Sequence, residues 1–192
     1  MTIPLSAVIS IYFKGYWSFF TPFYAFAIIP FLEVLLPQDS TNLSEEERFE
    51  KKKSKFFDWM LYLNAPIVFG FLSYTLWDLS TTTYALYEII GLVFSVGIVF
   101  GVNGINVAHE LGHRQSTYER YLGKLLLLPS FYMHFYIEHN FGHHANAATK
   151  EDPATARYNQ SLYSFWFSST IRQYFRAWKL QFKLLKSEKQ SF

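Results

Sequence analysis

All six histidines of this 192-residue chain fall between His109 and His144. Five of them lie in two short strings, His109-Glu-Leu-Gly-His113 and His139-Asn-Phe-Gly-His143-His144. Neutral imidazole is the commonest side-chain metal ligand, and helical residues four apart share one face. His109 and His113 can therefore aim at one place, as can His139 and His143, with His144 one step round the helix. Such a set offers nitrogen donors to one or two metals, and all-nitrogen sites suit zinc, copper, nickel or iron. The expected ligands are His109, His113, His139, His143 and His144. His134 stands outside both strings and is expected to pack or hydrogen-bond behind them. Glu110 and Glu138 can orient ligand imidazoles through the second ring nitrogen. Asp152, followed by Pro153, is suited to opening a turn or capping a helix. Spacing leaves a metal-bridging role open to all three carboxylates.

The first string also reads H-E-x-x-H, the zinc-protease pattern with Glu110 as general base. That chemistry needs a third ligand and one open position, and it leaves the denser second string unused. The chain has no cysteine, which removes disulfides, thiolate metal sites and a thiol nucleophile. A net charge of +2 with no basic groove gives no sign of nucleic-acid binding. Aromatic residues make up 21% and charged residues 17% of the chain, against roughly 25% charged in a soluble domain. That balance points to a membrane protein.

The elements that must position the histidines follow from the apolar runs. Residues 4–16 are apolar but short of the about 20 needed to span a bilayer. They begin almost at Met1, without the basic stretch of a cleavable signal peptide. Three spans are expected, over 16–36, 56–77 and 84–108, with Gly97 and Gly101 of the third suited to close helix packing. The polar loop 37–55 carries Arg48, Lys51, Lys52, Lys53 and Lys55 among acids from Asp39 to Glu50, and reads as a solvated surface helix. The loop 78–83 has no Lys or Arg. The positive-inside rule then places 37–55 in the cytoplasm, and the third span delivers His109 and His113 to that same side. Residues 121–137 are apolar and are expected to form a helix dipping into the cytoplasmic half or buried against the bundle. Residues 161–189 alternate aromatic and basic positions at helical spacing, as in an amphipathic helix lying on a membrane surface. The expected fold is an all-α integral membrane helical bundle. It has about three spans, a partly buried helix and a basic surface helix, in one domain over 1–192 with its histidine region at 109–157.

The strings N106-V-A-H109-E-L-G-H113-R, H134-F-Y-I-E138-H139-N-F-G-H143-H144 and A148-T-K-E-D152-P-A-T-A-R157 strongly resemble membrane alkane 1-monooxygenases, the alkane omega-hydroxylases. The resemblance runs over essentially the whole chain; its histidine motifs are specific and its apolar spans are not. It implies a non-haem di-iron enzyme of the bacterial inner membrane. Such an enzyme inserts one atom of O2 into the terminal methyl of an n-alkane, with rubredoxin as electron donor. It also implies that the five histidines ligate iron, and that a long apolar channel ends there. A membrane fatty-acid desaturase or hydroxylase is the rival, with clusters usually spaced HxxxxH and HxxHH. The family carries a third cluster, H-x-x-H-H, and a further histidine in an N-Y-[IV]-E-H-Y-G-like motif, and neither occurs in these 192 residues. The chain therefore reads as a fragment holding about half the ligands two irons need, and inactive by itself.

Overall fold

In the computed structural model, residues 2–37 and 41–187 are described, with the Lys52 side chain excepted. Asp39 and residues 188 and 189 of the expected amphipathic segment lie outside the described residues. Eight helices and no strand occur among the described residues. They are α1 (Thr2–Phe13), α2 (Gly15–Leu35), α3 (Glu45–Lys53), α4 (Lys55–Thr81), α5 (Leu86–Gly112), α6 (Thr117–Leu126), α7 (134–146) and α8 (Leu162–Ser187). Three of them, α2, α4 and α5, are long and apolar enough to cross a membrane. The protein is thus an all-α membrane protein, and these three helices overlap the three apolar runs. The chain divides into two compact units, Met1–Val107 and Ala108–Phe192.

In the first unit the polar side chains explain how apolar helices choose partners. Lipid offers no hydrogen bonds, so a hydroxyl inside such a unit must find a protein partner. Ser95 of α5 donates to the Ser18 carbonyl at 2.7 Å and lies 3.1 Å from Ser10 Oγ. Ser10 Oγ meets Thr21 Oγ1 at 3.0 Å and accepts from the Thr21 N–H at 3.1 Å. Ser10, Thr21 and Ser95 are all fully buried, so this seam ties α1, α2 and α5 together. Asn103 donates to Asn64 at 2.7 Å and joins α5 to α4 in the same way. Around these contacts pack Ile3, Ala7 and Val99, and separately Ile11, Leu92 and Val96. Large side chains such as Phe26 and Val34 remain 76% and 83% exposed, as lipid-facing positions should be.

The turn from α1 to α2 uses Lys14 and Gly15, both at positive φ, where glycine alone is unstrained. The Glu88 carboxylate fixes it, accepting from the Gly15 N–H at 2.6 Å and from the Ala85 N–H at 2.8 Å. The polar loop contains the expected surface helix, α3, started by a reciprocal capping box between Ser44 and Glu47.

The second unit holds α6, α7 and α8. The single helix expected over 121–137 is broken. Leu126 ends α6, a 3-10 turn follows at Leu128–Ser130, and Phe131 takes the left-handed conformation. The cause is Pro129, which has no N–H to continue a helix. The chain reverses there into α7, which packs against α8.

The Gly97–Gly101 pair makes no close approach in this unit, because a Cβ added at either meets nothing within 4 Å. Gly91 does: its Cβ would stand 2.2 Å from Ser18 Oγ and 2.9 Å from the Phe19 ring. Gly91→Ala is expected to destabilise the chain by about 1–3 kcal/mol through overpacking. Gly97→Ala is expected to be neutral, or stabilising by up to about 1 kcal/mol from helix propensity. Unfolding midpoints of the two variants in mixed micelles check this, and equal midpoints would refute it.

Candidate metal centre

Four imidazoles converge in the second unit. His113 Nε2 lies 3.1 Å from His109 Nε2 and 3.1 Å from His139 Nε2, and His144 Nε2 lies 3.1 Å from His139 Nε2. The donor atoms of His109, His113 and His139 all fall within 4.8 Å of one another. His109 lies in the last turn of α5 and His113 directly follows its end, still close enough to helical spacing for the two to align. Gly123 lets α6 pack closely against this end, since its Cβ would touch the Ala108 carbonyl at 3.0 Å.

The second string behaves differently from its spacing. In an α-helix His139 and His144 would diverge by about 140°. Residues Glu138–His143 instead form a π-turn, with hydrogen bonds closing on the fifth residue. The wider turn brings residues five apart together, so the converging pair is His139 with His144. His143 stacks on His139, ring centroids 5.4 Å apart, and its Nδ1 bonds Asp152 at 3.0 Å. The π-turn disturbs the carbonyl ladder, and side chains repair it. Asn140 donates to the Tyr136 carbonyl at 2.9 Å, and Asn146 to the Gly142 carbonyl at 2.8 Å. Phe135 stacks on the His139 ring at 4.9 Å and fixes its plane.

The carboxylates divide their work. Asp152 is fully buried and accepts from His143, from Thr155 Oγ1 at 2.6 Å and from the Ala154 N–H at 2.9 Å. It thus opens the turn and orients an imidazole at once. Burial alone would raise its pKa. The hydrogen bonds from Thr155, Ala154 and His143 outweigh that and hold it below the usual carboxylate range. Glu110 pairs with Arg114 at 3.3 Å. Glu138 is 1% exposed and lies 3.7 Å from Arg176. Its carboxyl is pushed up by burial, partly offset by Arg176. A Cβ at Gly142 would sit 2.7 Å from Glu138 Oε1, so only glycine leaves room for that carboxylate.

Spacing alone marks Arg176 as one cation in a surface stripe. In the structure it turns inward, donating to the Glu151 carbonyl at 2.7 Å and approaching the Gly142 carbonyl at 3.4 Å. With Glu138, these contacts tie α8 to the start and middle of the ligand string and to the loop after α7. The available signal was weak: one of the two arginines of α8, and a glutamate directly before His139. His134 stays apart from the cluster, packed between Tyr132 and Tyr174 at ring distances of 4.6 and 5.2 Å. Burial lowers its pKa.

Metal–imidazole bonds of about 2.1 Å separate two ligand nitrogens by about 3.0 Å at right angles and about 3.4 Å in a tetrahedron. The 3.1 Å spacings have that scale. Wherever both facing nitrogens lack a proton, their lone pairs repel, and a cation removes that repulsion. An all-imidazole set fits iron among the metals it suits.

Comparison with known proteins identifies the family. The family model described as "Fatty acid desaturase" matches residues 84–191, more than half of the chain. Alkane 1-monooxygenase 1 of Alcanivorax borkumensis is 35% identical over 156 residues, covering 81% of this chain and 38% of that protein. The alkane 1-monooxygenase of Pseudomonas putida is 34% identical over 166 residues, 86% of this chain and 41% of the relative. Alkane 1-monooxygenase 2 of A. borkumensis is 34% identical over 191 residues, 96% of this chain and 49% of the relative. The chain therefore spans less than half the length of these relatives.

Two tests follow from the site. Asp152→Asn and Arg176→Ala are each expected to weaken Co2+ binding by the detergent-solubilised chain about 10–100-fold, the usual cost of losing an outer partner. Helix content should not change, and Arg176→Lys should recover part of the loss; unchanged Co2+ titrations would overturn this. The second test is pH. Burial, followed by the neighbouring His109, His144, His113 and His143, lowers His139 from 6.5 to about 4. The unfolded chain then binds the proton better, so the metal-free chain should lose stability as pH falls from 6.5 towards 4. His139→Phe should flatten that decline, and an unaltered profile would refute the assignment.

Proposed function

Because the chain belongs to the fatty acid desaturase family, we propose that its histidines contribute part of a di-iron site hydroxylating the terminal carbon of n-alkanes to primary alcohols. The observation that carries this reading is the convergence of His109, His113, His139 and His144. His143, oriented by Asp152, would serve the neighbouring metal position. The names and identities of the relatives favour alkane over acyl substrates. The family's description favours the second reading, desaturation or hydroxylation of a fatty acyl chain.

A terminal C–H bond is too strong for acid–base chemistry, so bound iron would supply the oxygen activation. One atom of O2 enters the C–H bond and the other leaves as water, which takes two electrons and two protons. We assign the electrons to rubredoxin. The protein's own part is to hold the donors neutral and in place. Burial and mutual repulsion lower the pKa of His113 and bring that of His139 down to about 4, which favours the neutral form that ligands need. Asp152 sets the tautomer of His143, and Arg176 holds the π-turn in register. The apolar spans would admit a water-insoluble substrate from the bilayer. With five Lys or Arg in 37–55 and none in 78–83, the site faces the cytoplasm of a bacterial inner membrane.

The test uses membranes carrying this sequence in its complete reading frame, with rubredoxin, its reductase and 18O2. Expected is a 1-alkanol labelled with one 18O, abolished by His139→Ala. Unsaturated or hydroxylated acyl chains with no labelled alkanol would decide for the second reading.

A further inference from the structure

Helix α8 presents three distinct faces. At about 100° per residue, Ser169 and Ala177 point towards one side and are buried, 6% and 3% exposed. Phe167, Ile171, Phe175, Trp178 and Phe182 fall within about 80° of one another, centred about 160° from the buried side. They are 42–65% exposed. Arg172, Lys179, Lys183 and Lys186 form a third stripe, about 90° from the aromatic one. Arg176 is excluded because it turns inward to Glu138. No acidic residue occurs anywhere in Leu162–Ser187.

We propose that the outer face of α8 is a binding surface for anionic phospholipid, with the aromatic stripe in the acyl boundary and the cationic stripe among the headgroups. Five large apolar side chains exposed along one line exceed what a water-facing helix carries. An apolar face flanked by unopposed cations is the pattern of a helix lying in the membrane plane. Each cation near an anionic surface adds about fivefold to affinity, and four stand on this flank. The spans of the same chain tether α8 to the bilayer, so the contact forms at high effective concentration. A protein partner would have to match an apolar stripe and supply acids beside it, and it would shield the face from both O2 and an aqueous nickel chelate. The inner face of α8 carries α7. Lipid binding on the outer face therefore fixes the level at which His139, His143 and His144 stand relative to the membrane surface. This holds whichever metal and substrate the site takes.

The absence of cysteine allows clean reporters. Single substitutions Phe167→Cys, Phe175→Cys, Phe182→Cys and Lys183→Cys in the full chain are spin-labelled and reconstituted in phosphatidylcholine vesicles with or without phosphatidylglycerol. Labels at 167, 175 and 182 should be several-fold more accessible to O2 than to an aqueous nickel chelate, and the label at 183 the reverse. Phosphatidylglycerol should deepen the three aromatic positions, and Lys179→Gln with Lys183→Gln and Lys186→Gln should abolish that deepening. Aqueous accessibility at 167, 175 and 182 would overturn the proposal. So would shielding from both reagents, which would mean that protein covers the face. Equal depth in both lipid mixtures would overturn the anionic preference. The lipid comparison uses the lysines intact, so it stands even if the triple variant misfolds.

Discussion

Imidazole nitrogens held 3.1 Å apart need a proton or a cation between them. The second unit is organised around holding four nitrogens in that condition. Burial and mutual repulsion depress His113 and His139. Phe135 fixes one ring plane, Asp152 fixes a tautomer, and a buried Glu138–Arg176 pair locks the backbone that carries the second string. A buried ion pair is a poor source of net stability, but losing one partner leaves an expensive orphan charge. Here it serves register more than stability.

The first unit solves a different problem with the same economy of polar groups. Its helices expose most of their apolar surface, so burial of hydrocarbon cannot by itself select one packing over another. The Ser10–Thr21–Ser95 seam and the Asn64–Asn103 bond supply direction instead. Each is buried, and each would leave an unsatisfied group if a helix slid along its neighbour. Close contact at Gly91 makes the same choice sterically.

What the sequence makes legible follows from which forces are local. The three spans and the surface helix show directly in hydropathy and charge, because crossing a bilayer and facing water are properties of a segment alone. The histidine strings are legible for the same reason. What stays hidden depends on partners far along the chain. Arg176 reads as a surface cation until α8 is laid against α7. Gly91 reads like Gly97 and Gly101 until α2 is present. Pro129 does mark a break, but an apolar run on both sides disguises it as one helix. The pairing of His139 with His144 is invisible to any count that assumes α geometry throughout.

That last point reaches beyond this site. An α-helix spreads a ligand string around its cylinder, and only residues three or four apart reinforce one another. A single widened turn lets one short window point two ways, His139 together with His144 and His143 towards Asp152. The information is therefore carried jointly, half in the letters and half in the hydrogen-bonding frame in which they are read. The same six residues in an uninterrupted α-helix would spell a different site.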